Sequence, residues 1–372
     1  LLTGLWQFDP AISVYVFIGS LTAAFSVIRC KKRTAILRGG LFVFGANIVT
    51  AFAILLFMGD LFTPKAFVAA IFTAFSAVTV IALVSLLLPL LEYLFKVTTD
   101  ISLLELLDLE QPLMKNLMIT APGTYHHSII VGNLVEAVAD SVGINPLLAR
   151  VAAYYHDIGK IKMPEYFIEN HLSGVSKHEK LMPHMSSMIL VSHVKEGVEL
   201  AKQHKLPESV IDIIEQHHGT NLITYFYEKA KERPGSDELS EEEYRYPGPK
   251  PQSRISALVM MADAVEAASR VLHDPTPSKI TALVERIINH IFLAGQLDEC
   301  ELTLKDISEV KMRFAHILTG ILHKRVDYPG FDFNGNEGPH KQPAKEDKGK
   351  HPADRERLQE GPHVAGAPKG RA

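Results

Sequence analysis

Residues 146–160 read PLLARVAAYYHDIGK. Leu148, Val151, Ala152 and Tyr155 recur at helical spacing, so the stretch predicts a helix with one apolar face that runs into His156 and Asp157. A neutral imidazole beside a carboxylate offers a nitrogen and an oxygen ligand at adjacent positions, and the carboxylate can bridge two cations. Alone the pair is weak evidence, because a helix C-terminus closed by Gly159 accounts for the same residues. What decides the matter is whether other histidines and aspartates occupy helical positions that converge on it.

Several do. In the helix predicted from Thr124, His127 shares a face with Ile130, Val131, Leu134 and Val138, whereas His126 lies about 100° round the helix at its rim. His193 follows Ile189 by one turn and precedes Gly197 and Ala201 on the same stripe. Val210, Ile213 and Ile214 lead to His217 and His218 at the inward edge of another helix. Met260, Asp263, Ala264 and Ala267 form a further stripe that buries a carboxylate. Each alone is explained by a hydrogen-bonded core residue. Burying all of these imidazoles and carboxylates without partners would cost on the order of a few kcal/mol per group, a penalty that metal coordination removes collectively.

The ligand set suits two divalent cations better than one. With Asp157 as a bridge, His127, His156 and Asp263 would serve one ion, and His193, His217 and His218 the other. Imidazole and carboxylate ligation without thiolate suits iron, manganese or zinc. Two such cations about 3.5–4 Å apart hold a hydroxide and clamp a phosphoryl oxygen during in-line attack, so the expected activity is phosphodiester hydrolysis. Lys160 either meets a phosphate oxygen or complements a helix dipole, and both readings stay open. His171, His178 and His184, among Lys177, Lys180 and Pro183, are expected at solvated loop positions. Walker-type glycine loops, the Ser-His-Asp elbow and HExxH are absent.

Of 372 residues, 47% are hydrophobic, which is high for a soluble chain. The excess is concentrated in three runs, residues 11–29, 39–58 and 66–91, the first followed by Cys30, Lys31, Lys32 and Arg33. Each reads as a membrane span, and the third is long enough to hold two short ones. Lys31, Lys32, Arg33 and Arg38 crowd the first loop, so the positive-inside rule places that loop in the cytoplasm. Three spans then leave everything after residue 96 cytoplasmic. A net charge of −4 gives no global basic field and argues against a nucleic-acid polymer as partner. Cys30 and Cys300 have no metal-binding spacing.

The expected organisation is all-α: a membrane domain over 1–96 with about three transmembrane helices, an amphipathic connector over 97–122, a helical domain over 123–327, and a disordered tail over 328–372. Within the helical domain, acids and prolines over 231–253 predict a long surface excursion, either disordered or a lid. Helical periodicity resumes from Arg254 to Val271 and from Ser278 to about Lys324.

Taken together, APGTYHHS (121–128), HDIGK (156–160), SHVKEG (192–197), EQHHGT (215–220), ADAVEA (262–267) and YRYPGPKP (244–251) resemble the seven-transmembrane HD-domain receptors, within the HD metal-dependent phosphohydrolases. The resemblance covers about residues 11–325. It implies a multi-pass enzyme of the bacterial inner membrane whose cytoplasmic HD domain hydrolyses cyclic di-AMP to pApA at a two-metal centre, often iron or manganese. It also implies the metal ligands His127, His156, Asp157, His193, His217, His218 and Asp263, with Asp157 and Lys160 acting in catalysis. Family members carry an extracellular domain and seven spans, so the sensor and about four spans are expected to be missing here. Related cyclic di-GMP hydrolases have a Gly-Tyr-Pro signature after the paired histidines, where this chain has Gly219-Thr220-Asn221. Expected partners are cyclic di-AMP and the lipid bilayer, with a homo-oligomer left open. Competing readings are a receptor that binds cyclic dinucleotide without turnover and an oxidative di-iron HD enzyme.

Overall fold

The computed structural model describes residues 9–28, 33–171, 176–233 and 239–322. Three apolar helices come first: α1 (Pro10–Val27), α2 (Arg33–Phe57) and α3 (Pro64–Phe95). Within them, Pro10–Val27, Thr34–Phe57 and Pro64–Glu92 are long and apolar enough to cross a membrane. Asp9 and Thr63 cap the starts of α1 and α3, each followed by a proline whose missing N–H would have had no helical partner anyway. Phe67 and Leu86 are each 72% exposed, so most of the apolar surface faces outward, as it does on helices that meet lipid or further spans. Where these helices do meet, small residues permit the approach. A methyl at Gly19 would collide with Asn47, and one at Gly40 with Ile81. The third run is one continuous helix and not two short spans, since Pro89 is its sole interior breaker and lies near its end. Lys31, Lys32 and the side chain of Arg33, which support the orientation argument, lie outside the described residues.

The helical domain follows as α4 (Asp100–Leu106), α5 (Pro112–Thr120), α6 (Pro122–Ala139), α7 (Pro146–Tyr155), α8 (Pro183–Gln203), α9 (Glu208–Gln216), α10 (Thr224–Lys231), α11 (Arg254–Ser269), α12 (Pro277–Leu293) and α13 (Leu304–Leu322). No strand occurs among the described residues, and Leu222 and Arg245 form an isolated bridge. The connector is part of the packed domain, because Leu103, Leu113, Met114 and Leu117 are all buried. They join Tyr155, Ile158, Val210 and Ile214 in one apolar cluster. A second cluster gathers α6, α11, α12 and α13 around Val131, Leu134, Leu258, Val284 and Phe314. Helix α7 serves both, presenting Ala149, Ala152 and Ala153 to the second and Val151, Tyr154 and Tyr155 to the first. Its C-terminal end, where His156 and Asp157 stand, is therefore held from two sides.

Several expectations need correction. Between α7 and α8, where the sequence predicts loop positions, the chain turns through short 3₁₀ segments at Ile158–Lys162, Pro164–Tyr166 and Ile168–Asn170. Gly159 does not close a helix in the left-handed conformation. It lets the chain cross α8, where an added Cβ would lie 1.8 Å from the His193 carbonyl oxygen and 2.5 Å from the Gly197 nitrogen. The stretch from Ser278 divides into α12 and α13 at Gly295, whose φ of 67° stops the first helix. In the expected surface excursion, Tyr244 and Pro251 are buried and residues 239–253 return onto the domain. Residues 234–238 lie outside the described set, as does the expected disordered tail. His178 is not solvated: it is buried between Tyr166 and Phe226, its Nε2 against the Tyr166 carbonyl oxygen at 2.8 Å.

Gly159→Ala places a methyl against two backbone atoms that no side-chain rotation relieves, and is expected to destabilise the domain by about 3 kcal/mol or more. Thermal unfolding of the detergent-solubilised chain checks this against Gly320→Ala, where nothing lies within 4 Å. Equal melting temperatures for the two variants would contradict the packing argument.

Candidate metal centre

Seven side chains from five parts of the domain meet at the end of α7. His127 comes from α6, His156 and Asp157 from the residues after α7, His193 from α8, His217 and His218 from the residues after α9, and Asp263 from α11. Their ligand atoms form two groups, one of His127, His156, Asp157 and Asp263 and the other of Asp157, His193, His217 and His218. Asp157 belongs to both. Its Oδ2 lies 3.2 Å from His156 Nε2 and 3.7 Å from His127 Nε2, while its Oδ1 lies 3.3 Å from His193 Nε2 and 3.6 Å from His217 Nε2. Asp263 spans the groups from the far side, with Oδ1 at 3.0 Å from His127 Nε2 and Oδ2 at 3.7 Å from His218 Nδ1.

Local geometry aims the imidazoles. His156 and His217 each direct Nδ1 to the carbonyl oxygen three residues earlier, Ala153 and Ile214, at 2.7 Å, and His193 does the same to Leu190. His127 directs Nδ1 to Glu266, which is held in turn by Arg270. With the outer nitrogens so engaged as N–H donors, the Nε2 atoms all face inward. Helix α9 ends because Gly219 takes φ of 52°, which turns the chain away as soon as both histidines are placed. Tyr246 stacks on the His218 ring at 4.2 Å and 26°.

The donor set fits cations. Among the described residues, the Nε2 atoms of His127 and His156 and both carboxylate oxygens of Asp157 are buried without a properly formed hydrogen bond. Such atoms are costly to bury unless coordinated. Burial works against the charge of Asp157, yet His156 and Lys160 hold its carboxyl well below the usual range. Burial likewise opposes ionisation of Asp263, and His127 outweighs it. For His127 itself, burial is overcome by Asp263 and Glu266, which raise it to about 10. The cluster thus attracts positive charge, be it a proton or a cation. His217 and His218 respond oppositely: burial lowers both, and keeps them neutral and available as ligands.

Lys160 sits 2.7 Å from Asp157 and 3.0 Å from Glu169, so it pairs with the site and not with a helix end. Burial opposes its charge, but Asp157 and Glu169 raise its pKa and keep it protonated. Glu169 also accepts the Thr124 hydroxyl at 3.0 Å. His126 is exposed, His184 is exposed, and His171 is tied to the Glu165 carbonyl oxygen, all outside the cluster. Sequence reasoning missed Glu266, Glu169 and Tyr246. The position of Glu266, three residues after Asp263 on one helix, was a usable signal; Glu169 and Tyr246 lie in segments without periodicity.

The HD domain family matches residues 124–268, and the family described as a 7TM receptor with intracellular HD hydrolase matches residues 1–99. The chain is 41% identical over 327 residues to cyclic-di-AMP phosphodiesterase PgpH of Bacillus subtilis, covering 87% of this chain and 45% of that protein. It is 39% identical over 319 residues to PgpH of Listeria monocytogenes, covering 86% and 44%. The chain thus spans less than half the length of these relatives. The crystal structure of the L. monocytogenes PgpH HD domain in complex with cyclic-di-AMP is 46% identical, with a TM-score of 0.55, and the match covers 59% of this chain and 100% of that one.

Two outcomes are expected. Asp157→Ala should drop metal content, measured by inductively coupled plasma mass spectrometry, to one ion per chain or fewer while the helical circular dichroism persists. Near neutral pH, His127 carries a proton that a cation must displace, so loading should release about one proton per chain. Calorimetry in two buffers of different ionisation enthalpy reads that proton, and identical heats in both would refute it.

Proposed function

The chain belongs to the 7TM receptors with an intracellular HD hydrolase, and on that premise we propose that it is a membrane-anchored, metal-dependent phosphodiesterase that hydrolyses cyclic di-AMP to pApA. The observation that carries the reading is Asp157, whose two oxygens face two separate sets of nitrogen and carboxylate ligands. A buried carboxylate so placed suits a bridge between cations and little else. His127, His156 and Asp263 would hold one ion and His193, His217 and His218 the other, with iron or manganese the best fit to this donor set. Bound there, the pair would supply Lewis acidity and lower the pKa of water so that hydroxide is available at neutral pH.

The protein's own groups do the rest. Lys160 offsets the carboxylate charge around Asp157 and Glu169, which would otherwise repel a phosphodiester, and it has one donor left for a phosphate oxygen. Glu266 fixes the tautomer of His127, and Tyr246 covers His218 on its open face. The three apolar helices and the basic first loop support an inner-membrane location with the HD domain in the cytoplasm. Gly219-Thr220-Asn221 after the paired histidines favours cyclic di-AMP over cyclic di-GMP.

Purified chain reloaded with manganese or iron should convert cyclic di-AMP to pApA, followed by liquid chromatography, and lose that activity to a chelator. Lys160→Met should retain its metals yet lose about tenfold or more in kcat/KM, equivalent to about 1.4 kcal/mol of transition-state stabilisation. A metal-replete preparation that binds cyclic di-AMP tightly and leaves it intact would instead establish a receptor. Oxygen consumption without phosphodiester turnover would establish an oxidative enzyme.

A further inference from the structure

Where α3 meets the helical domain, a cavity of about 840 Å³ opens between the two. One wall is Pro89, Leu94 and Val97 at the end of the apolar helix; the facing wall is the turn between α8 and α9, with Lys202, Lys205, Leu206 and Ile211. Lys96 closes the junction between them. From this arrangement we propose that the cavity binds the phosphate headgroup of an anionic phospholipid drawn from the surrounding bilayer. The inference rests on the membrane reading above and not on the nature of the catalysed reaction.

Depth comes first. The membrane-compatible stretch of α3 runs to Glu92, and Leu94 and Phe95 beyond it are still 67% and 68% exposed, so apolar side chains give way to the Lys96 ammonium within one turn. That sequence of surfaces matches the boundary between acyl chain and headgroup. Charge comes second. Lys96, Lys202 and Lys205 are exposed, and none makes an ion pair among the described residues. Glu92, which accepts the Thr99 hydroxyl, and Glu208 also line the cavity, so three lysines outweigh two carboxylates and leave the lining positive by one charge. An apolar wall beside unpaired lysines at headgroup depth selects a phosphate carrying an apolar tail.

The backbone adds a further point. Lys96 ends α3 with φ of 52° and Lys205 follows α8 with φ of 56°, a conformation in which glycine is less strained. Two lysines occupying such positions on opposite walls of one cavity put their side chains to use. A lysine at a helix C-terminus also complements the dipole, but that effect is indifferent to the lipid present. The site bears on the metal centre because its far wall joins the helix that carries His193 to the one that leads to His217 and His218.

The whole chain, first shown to float with vesicles, is exchanged into mixed micelles holding equal phosphatidylglycerol and phosphatidylcholine, and retained lipid is read by native mass spectrometry. The wild-type chain is expected to keep phosphatidylglycerol over phosphatidylcholine by about fivefold or more. The triple variant Lys96→Gln, Lys202→Gln, Lys205→Gln should bring the two within about twofold with metal content unchanged. Lys202→Gln alone, at an exposed helical position, should at least halve the preference and keeps the test decisive where the triple variant does not fold. Equal retention by the wild type, or an undiminished preference in the variants, overturns the proposal. Displacement of phosphatidylglycerol by millimolar inorganic phosphate assigns the cavity to a soluble anion and overturns it too. A chain that does not float overturns the membrane reading itself.

Discussion

A carboxylate buried among imidazoles is the constraint on which the domain depends. Asp157 is almost entirely removed from water, and its charge is tolerable only because His156, His193 and Lys160 surround it. Holding those groups in place requires α7 to end where both apolar clusters meet, α8 to pass within backbone contact of Gly159, and α9 to stop at Gly219. Each is a packing demand imposed by one polar atom pair. The apolar clusters supply the free energy of folding; the geometry they converge on is set by the residues they would otherwise exclude.

Much of this was legible in the sequence because helices convert spacing into direction. His127, His193 and Asp263 each interrupt an apolar stripe, and a polar residue on a stripe must point inward. The three apolar runs were equally plain, since length and absence of charge suffice to mark them. What stayed hidden lies where periodicity fails. Glu169 and Tyr246 reach the site from a 3₁₀ segment and an extended loop, in which residue number says nothing about side-chain direction. His178 looked solvated in the company of lysines, yet packs between two aromatic rings. Spacing also left open whether Gly159 closes a helix through its backbone angle, whereas it serves the approach of another helix.

The outward-pointing nitrogens deserve equal weight with the inward ones. Three of the histidines use the carbonyl of their own preceding turn, so their orientation is secured by secondary structure alone. His127 instead depends on Glu266 and through it on Arg270, a tertiary arrangement that couples α6 to α11. The two halves of the cluster therefore differ in character: one contains a member orientated across helices, the other is orientated mostly within them.

That contact between His127 and Glu266 joins residues 139 positions apart. Contacts of such separation form late, after the closure entropy of the intervening chain has been met by nearer ones. During synthesis, the first histidine of the cluster emerges from the ribosome long before the acids that complete it. A nascent chain that lacks α11 thus holds the residues of the group of Asp157, His193, His217 and His218, whereas the group around His127 closes only when α11 has docked. Closing of the cluster is thereby tied to the docking of a helix made late in the chain.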